Sequence, residues 1–342
     1  MTERISPWQT YRLRLKRRRL LWRAIRSRHS LTPLAMRTGH IRKDDILCFA
    51  TMRNEMARLP FFLAHHRRLG VAQFLIVDNE STDGTADYLA GQADVSLWST
   101  PRSYRAARFG MDWVNWLLLR HGHGHWCLTL DADELLIYPG HETRRLPELT
   151  RWLEARGAET MAAMMLDIYP KGPLSGAICA PGQDPREALG WFDATGYGWQ
   201  RQPRHGNISI RGGVRERVFF ADCPEHSPHL HKTPLIRWSR RYAYASSTHL
   251  ALPRRLNRGF DARLNLPTGL LLHTKFLDVV IGKSREEKHR AEHFTHPGRY
   301  HGYYDDIIAD PDLWSPDSLP VGDAQDFERL GLMTRGHWPA TG

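Results

Sequence analysis

Trp126-Cys127-Leu128-Thr129-Leu130-Asp131-Ala132-Asp133-Glu134-Leu135-Leu136 is an apolar run interrupted by acids, and the fold assignment turns on it. The chain is apolar as far as Leu130, carries three carboxylates in the next four positions, and turns apolar again. A short apolar run with a β-branched residue reads as a buried strand, and Asp131 and Asp133 fall at alternate positions just past its end. Hard divalent cations such as Mg²⁺ or Mn²⁺ take oxygen ligands, commonly one or two carboxylates plus substrate phosphates. The stretch therefore has the chemistry of half a metal-phosphate site. Any Asp-x-Asp also has a bland reading as a solvated turn, and the surrounding sequence has to separate the two.

Two more apolar runs precede it, and each ends the same way. Ile46-Leu47-Cys48-Phe49-Ala50 leads into Thr51-Met52-Arg53-Asn54-Glu55, and Phe74-Leu75-Ile76-Val77 leads into Asp78-Asn79-Glu80-Ser81-Thr82-Asp83-Gly84-Thr85. A helix with Pro60 in its first turn, stopping near Gly70, joins the first pair. Ser81 to Thr85 has the chemistry of a turn entering a helix, so Asp83 reads as a cap before it reads as a ligand. A further helix over Ala107 to Arg120 puts Phe109, Trp113, Trp116 and Leu117 on one face, which reads as core. Strand, helix, strand, helix, strand is the order of a parallel sheet with crossover helices, so the fold class is α/β. Ligands of such sheets bind beyond the carboxyl ends of the strands, where all three polar clusters lie.

These residues resemble the family 2 glycosyltransferases. The likeness runs through Phe49-Ala50-Thr51-Met52-Arg53-Asn54-Glu55, His65-His66-Arg67-Arg68-Leu69-Gly70-Val71, Val77 to Thr85, and Leu130-Asp131-Ala132-Asp133-Glu134. It is similar in particular to their bacterial subgroup with an Arg-Asn-Glu first loop and an Asp-x-Asp-Glu metal motif. The resemblance implies a GT-A-like, Rossmann-related, mostly parallel sheet flanked by helices, with a mixed α+β acceptor-side half. It also implies a nucleotide-diphospho-sugar donor, with UDP as the nucleotide, and Mn²⁺ or Mg²⁺. Carried over by position, Thr51, Arg53, Asn54 and Glu55 line the nucleotide pocket, Asp78 and Asn79 meet base or ribose, and Asp131 and Asp133 hold ribose and metal. The expected reaction is inverting transfer to a hydroxyl of a glycan or lipid-linked acceptor, in cell-surface polysaccharide synthesis.

The second half carries weaker signals. Met161-Ala162-Ala163-Met164-Met165-Leu166 reads as a strand ending in Asp167, the first candidate for the base that takes the acceptor's proton, since a base must lie within hydrogen-bond reach of that hydroxyl. The sequence departs here from the Glu-Asp pair usual in the family, and Glu216 and Glu225 are alternatives. Arg211, Arg215 and Arg217 either neutralise phosphate or form a basic strand face. His273 and Lys275, after Leu270-Leu271-Leu272, are placed to reach the diphosphate. His121, His123 and His125 alternate with glycine and read as a loop rather than a metal site. A charged helix is expected over Phe276 to Phe294. The domain reading is a basic arm over 1–43, a transferase domain over 44–300 divided near 140, and loops and turns over 301–342.

Composition narrows the class. The chain has 342 residues, 41% hydrophobic and 25% charged, with a net charge of +11. Residues 1–43 hold thirteen Lys/Arg against Glu3 alone, a net of +12, so the remainder is close to neutral. On a helix Trp8, Tyr11, Leu15, Trp22 and Ile25 would gather on one side with Arg12, Lys16, Arg19, Arg23 and Arg26 around the rest, a pattern suited to an anionic membrane surface. A solubilising arm is the bland alternative, and nucleic acid is disfavoured by the absence of any recognition signature. No run is long enough to span a bilayer and no secretory signal is evident, so a cytoplasmic protein, peripheral on the membrane, is expected. Cys48, Cys127, Cys179 and Cys223 lie far apart, which reads as buried thiols rather than zinc or disulfides. A nucleotidyltransferase would normally show a glycine-rich phosphate loop, which is missing, and a non-catalytic scaffold would have no use for intact Asp131 and Asp133.

Overall fold

The computed structural model describes residues 5–290 and 301–340. Ser6 opens the first helix. Its hydroxyl accepts from the Gln9 amide while the Gln9 side chain accepts from the Ser6 amide, and Pro7 sits in the first turn, where its missing N–H leaves no bond unmade. The resulting helix α1 (Pro7–Ser27) buries Leu13, Leu20 and Ala24. It lies against Ala243, Ala245, Leu250 and Leu252 of a small hairpin described below. Part of the arm is thus a docked helix, and the face it buries is not the aromatic one that the sequence suited to a membrane surface.

The central sheet follows. An edge strand β1 (Thr32–Ala35) precedes β2 (Ile46–Met52), α2 (Leu59–Leu69), β3 (Val71–Asp78), α3 (Thr85–Ala90), β4 (Val95–Ser99), α4 (Met111–His121) and β5 (Trp126–Thr129). Pro60 falls in the first turn of α2, and Gly70, with φ +104°, ends it. Strands β2 and β3 are apolar on both sides because both faces are covered. Phe62 and Leu63 of α2 pack on Cys48, Ala50, Phe74 and Ile76. On the opposite face Trp113, Val114, Leu117 and Leu118 of α4 pack on Leu47, Phe49, Leu75 and Val77. The helix α4 starts later than expected because Arg108, Phe109 and Gly110 all have positive φ, which no helix continues through.

The chain then crosses to the far edge as β6 (Glu134–Ile137), followed by α5 (Leu146–Ala155) and β7 (Thr160–Tyr169), buried throughout. Asp167 lies inside β7 rather than at its end. A short α6 (Pro185–Ala188), β8 (Trp191–Asp193), the hairpin β9 (Tyr197–Gln202) with β10 (Asn207–Gly212), and α7 (Gly213–Phe219) come next. They lead to β11 (His231–Arg237), the second hairpin β12 (Ala243–Ser246) with β13 (Leu250–Leu252), and β14 (Gly269–His273). The charged helix α8 spans Val279–Arg290, starting after a turn at 276–278 and so three residues later than expected, and positions 291–294 of its expected length lie outside the described residues. The C-terminal part contains α9 (His301–Ile308), β15 (Ser318–Pro320) and α10 (Ala324–Arg329), not loops alone, because Tyr303, Tyr304, Ile307 and Phe327 have a core to enter.

The strand order is β1-β4-β3-β2-β5-β11-β7-β14-β6, with β8 and β15 branching from β7. Parallel pairing is continuous only across β4-β3-β2-β5, and the other half is mixed. The molecule is therefore α/β with a parallel half over the first motifs and a mixed half over the second. From β2 the chain steps outward through β3 and β4, then returns to the other side of β2 as β5. That reversal opens a crevice at the carboxyl ends of β2 and β5.

Candidate active site

The loops after β2 and β3 are stitched to each other. Asn54 accepts from the Thr82 amide at 2.8 Å, and its own amide donates to Ser81 Oγ at 2.9 Å. The Glu55 amide donates to Thr85 Oγ1, and the Met56 amide donates to Asp83 Oδ2, each at 2.9 Å. Arg53 donates to the carbonyls of Asn79 and Glu80 and pairs with Glu286 of α8. Asp78 accepts from the Ser81 amide and hydroxyl, and Asn79 donates to the carbonyls of Thr100 and Arg102. Most of the motif residues thus hold one rim of the crevice in shape. Asp83 is a turn acid one residue before Gly84, the N-cap of α3, and it also accepts from the Thr85 amide. Asn54 and Glu80 sit at positive φ, where a non-glycine residue stays only if neighbours hold it.

Asp131 and Asp133 stand at the mouth of the crevice. The Asp131 side chain is 46% exposed, and its Oδ2 accepts from Lys232 Nζ at 2.8 Å. Lys232 also pairs with Glu134, which is fully buried. Burial works against charge on Lys232, but Asp131 and Glu134 outweigh it and hold the ammonium charged, while burial raises Glu134 to about 7. The Oδ1 atoms of Asp131 and Asp133 make no hydrogen bond or ion pair among the described residues, so the pair keeps open oxygens of the kind a hard divalent cation takes. No set of three His, Cys, Asp or Glu ligands converges there among the described residues. A metal at this place would need ligands from a bound phosphate.

Behind Asp133 runs a chain of buried charges. Strand registers set Glu134 opposite His273 and His273 beside Asp167, one row across β6, β14 and β7. His273 Nε2 lies 3.1 Å from Asp133 Oδ2, and its Nδ1 lies 2.6 Å from Asp167 Oδ1. Arg215 of α7 pairs with Asp167 Oδ2 at 2.7 Å. Burial alone would lower His273, but the two flanking carboxylates raise it. Burial alone would raise Asp133, yet His273, Arg58 and Lys275 pull it well below the usual carboxylate range. Asp167 is likewise lowered against burial, by Arg215 and His273. A carboxylate with both oxygens engaged, buried and held charged is suited to orienting His273, not to taking a proton from an acceptor.

A second ring of charge closes the crevice. Glu55 pairs with Arg58 at 2.6 Å and with Lys283 of α8 at 2.5 Å. Lys275 is lowered by burial and by nearby Arg215, against the opposing pull of Asp133 and Asp167. Tyr104, raised by burial and then by the charges of Asp131 and Asp133, brings a phenol into their field from the loop before α4. Thr51 Oγ1 is buried against Gly110 and has no partner among the described residues.

The structure brings Glu55, Asp131, Asp133, Asp167, His273 and Lys275 to one place, and sets Thr51, Arg53, Asn54, Asp78 and Asn79 in the adjoining rim. Glu216 instead accepts from Ser227 and lines a cleft with Asp193 and Arg217. Arg217 pairs with Asp193, and Arg211 donates to the Glu225 carbonyl. Sequence reading left Glu134 as a cap or salt-bridge acid, which its pairing with Lys232 bears out, but missed Arg58, Tyr104, Lys232 as that counter-ion, and Lys283. Only Lys232 left a trace, a lysine just ahead of Leu235 and Ile236 in the strand His231–Arg237. The cysteines are all free, and Cys223 is exposed where a buried thiol was expected. No helix among the described residues is long and apolar enough to cross a membrane.

No family model matches the chain. A stretch of 109 residues is 30% identical to a glycosyltransferase family 92 protein of Oryza sativa subsp. japonica, covering 30% of this chain and 18% of the rice protein. The chain thus spans just under a fifth of that relative's length, and the similarity, though distant, is to a glycosyltransferase.

Proposed function

We propose that this chain moves a sugar from a nucleotide-diphospho-sugar, UDP-linked, to a hydroxyl of a glycan or lipid-linked acceptor with inversion, as in cell-surface polysaccharide synthesis. The observation that carries the reading is the pair Asp131 and Asp133 at the crevice of the parallel half, each keeping one oxygen uncommitted inside a ring of cationic side chains. These two residues fit Mn²⁺ or Mg²⁺, which as a Lewis acid offsets charge on a departing diphosphate. His273, fixed by Asp167, holds Asp133 in its ionised form. Lys275 and Arg58 supply positive charge beside the phosphates, which strengthens as the leaving group gains charge. The rim built by Arg53, Asn54, Asp78 and Asn79 shapes the nucleotide side. The distant similarity to a glycosyltransferase agrees with transfer of a glycosyl group.

Thermal unfolding with UDP, GDP, CMP and dTDP, each with and without Mn²⁺, tests this on the wild type and on Asp131→Ala/Asp133→Ala. A ligand at about 100 times its dissociation constant stabilises by roughly 2.7 kcal/mol. The expected result is stabilisation by UDP that needs both Mn²⁺ and the two acids. Equal stabilisation of the double variant, or none by any nucleotide, would move the protein to a non-catalytic reading.

A further inference from the structure

Helix α1 has two apolar faces, and only one of them is used. At about 100° per residue, the buried Leu13, Leu20 and Ala24 form one stripe, and Trp8, Tyr11, Leu15 and Trp22 form a second one on nearly the opposite side. The second stripe faces outward. Trp8 is 65% exposed, Trp22 63%, Tyr11 49% and Leu15 43%, and Trp8 stacks on Tyr11 with ring centroids 5.8 Å apart. Single exposed apolar residues need no explanation, but an aligned stripe of two Trp, a Tyr and a Leu on a rigid helix does.

The charge around the stripe says what it meets. Arg12 and Arg19 flank it on one side, Arg18 lies on the other, and Arg26 continues its line, while the whole helix has no acidic residue. Among the described residues Arg12, Arg18, Arg19 and Arg26 make no ion pair, whereas Arg23, turned inward, pairs with Asp112. A core or a neutral protein groove would leave these guanidinium groups unsatisfied. A duplex would take the arginines but has no place for a continuous Leu and Trp ridge. We infer that the outer face of α1 docks on an anionic lipid bilayer, with the helix in the plane of the surface, the aromatic stripe at the level of the acyl boundary and the arginines on lipid phosphates. The geometry also ties the surface to the crevice. Arg23 donates to the Ala106 carbonyl and to Asp112 in the first turn of α4, and so grips the loop that carries Tyr104 to Asp131 and Asp133.

The inference goes beyond the reading of the crevice, and its test has no activity readout. Full-length protein is floated with vesicles of phosphatidylcholine alone, and of phosphatidylcholine mixed with phosphatidylglycerol, at low and at physiological salt. Wild type should partition onto the anionic vesicles, weakly onto the neutral ones, and less as salt rises. Trp8→Gln/Trp22→Gln should lower partition onto anionic vesicles by about tenfold, and Arg12→Gln/Arg19→Gln by about thirtyfold. Both pairs are exposed, so unchanged urea unfolding should accompany each loss. No partition, equal partition onto both vesicle types, or full partition by the Trp variant would overturn the proposal. Retention of a DNA or RNA duplex at the same salt, indifferent to the Trp variant, would reassign the face to nucleic acid.

Discussion

Lys232 is the residue on which the buried electrostatics of the crevice turn. It is nearly inaccessible, and it neutralises Glu134, fully buried, together with Asp131 at the mouth. Lys232→Met should destabilise by about 3–5 kcal/mol, because it strands a carboxylate in the core. Adding Glu134→Gln should restore part of that loss, and a urea double-mutant cycle that came out additive would show the pair to be idle. Asp167 invites a similar test. If it acts through His273, Asp167→Asn should cost about 10- to 100-fold in metal affinity. Combined with His273→Gln it should cost no more than His273→Gln alone, whereas independent, multiplying losses would return Asp167 to a direct catalytic role. Asp131 and Asp133 were legible as local pattern, but Lys232 lies 101 positions from Asp131, and nothing in either neighbourhood announces the other.

Among the elements, the loop before α4 is the one under most constraint. Arg108, Phe109 and Gly110 take the left-handed region in succession, and Phe109 and Gly110 both donate to the Tyr104 carbonyl. A Cβ on Gly110 would lie 2.8 Å from Thr51 Oγ1 at φ +73°. Gly110→Ala should therefore cost about 1–2 kcal/mol from the backbone alone. It should also shift Tyr104 and weaken nucleotide binding more than urea stability, and a variant with native stability and binding would show that the loop tolerates a side chain. Sequence periodicity placed a helix here but ran it through Phe109, because apolar spacing cannot see a left-handed turn. The first helix shows the converse. Its aromatic stripe was visible at helical spacing, while Leu13, Leu20 and Ala24 are inconspicuous until the hairpin β12-β13 covers them.

For the whole molecule, histidine burial sets the response to acid. His65, buried and donating its Nε2–H to the Leu136 carbonyl at 2.8 Å, is lowered by burial to about 4, and His231 is lowered in the same way to about 3. His66 and His249 are lowered well below the ordinary value, also by burial. In each case the unfolded chain takes the proton first. The stability these groups contribute is complete above about pH 6.5 and is lost as pH falls toward 4, at about 1.4 kcal/mol per pH unit for each histidine. His273 runs the other way, since its folded value is raised, and its contribution is present at low pH and lost as pH rises through that value. The net expectation is a urea midpoint that drops steeply below pH 6.5. His65→Gln should flatten the drop in part, and an unchanged slope in that variant would exclude His65 as one of its sources.

The features legible in the residue order alone are local. Apolar runs ending in polar clusters specify strands that end at a common sheet edge, Pro60 and Gly70 bound a helix, and the excess charge of residues 1–43 is a matter of counting. These readings need only neighbours within a turn or a strand, which is the range over which hydrophobic periodicity and capping act. It took the folded chain to show that Arg53, Asn54 and Asp83 brace one loop against another, that β6 crosses the sheet to lay Glu134 beside His273, and that Asp167 lies beside His273 instead of at a strand's end. Those outcomes follow from register and burial. A charge in water is unremarkable, but one taken into a low-dielectric interior must find a partner, and that partner can come from anywhere in the chain.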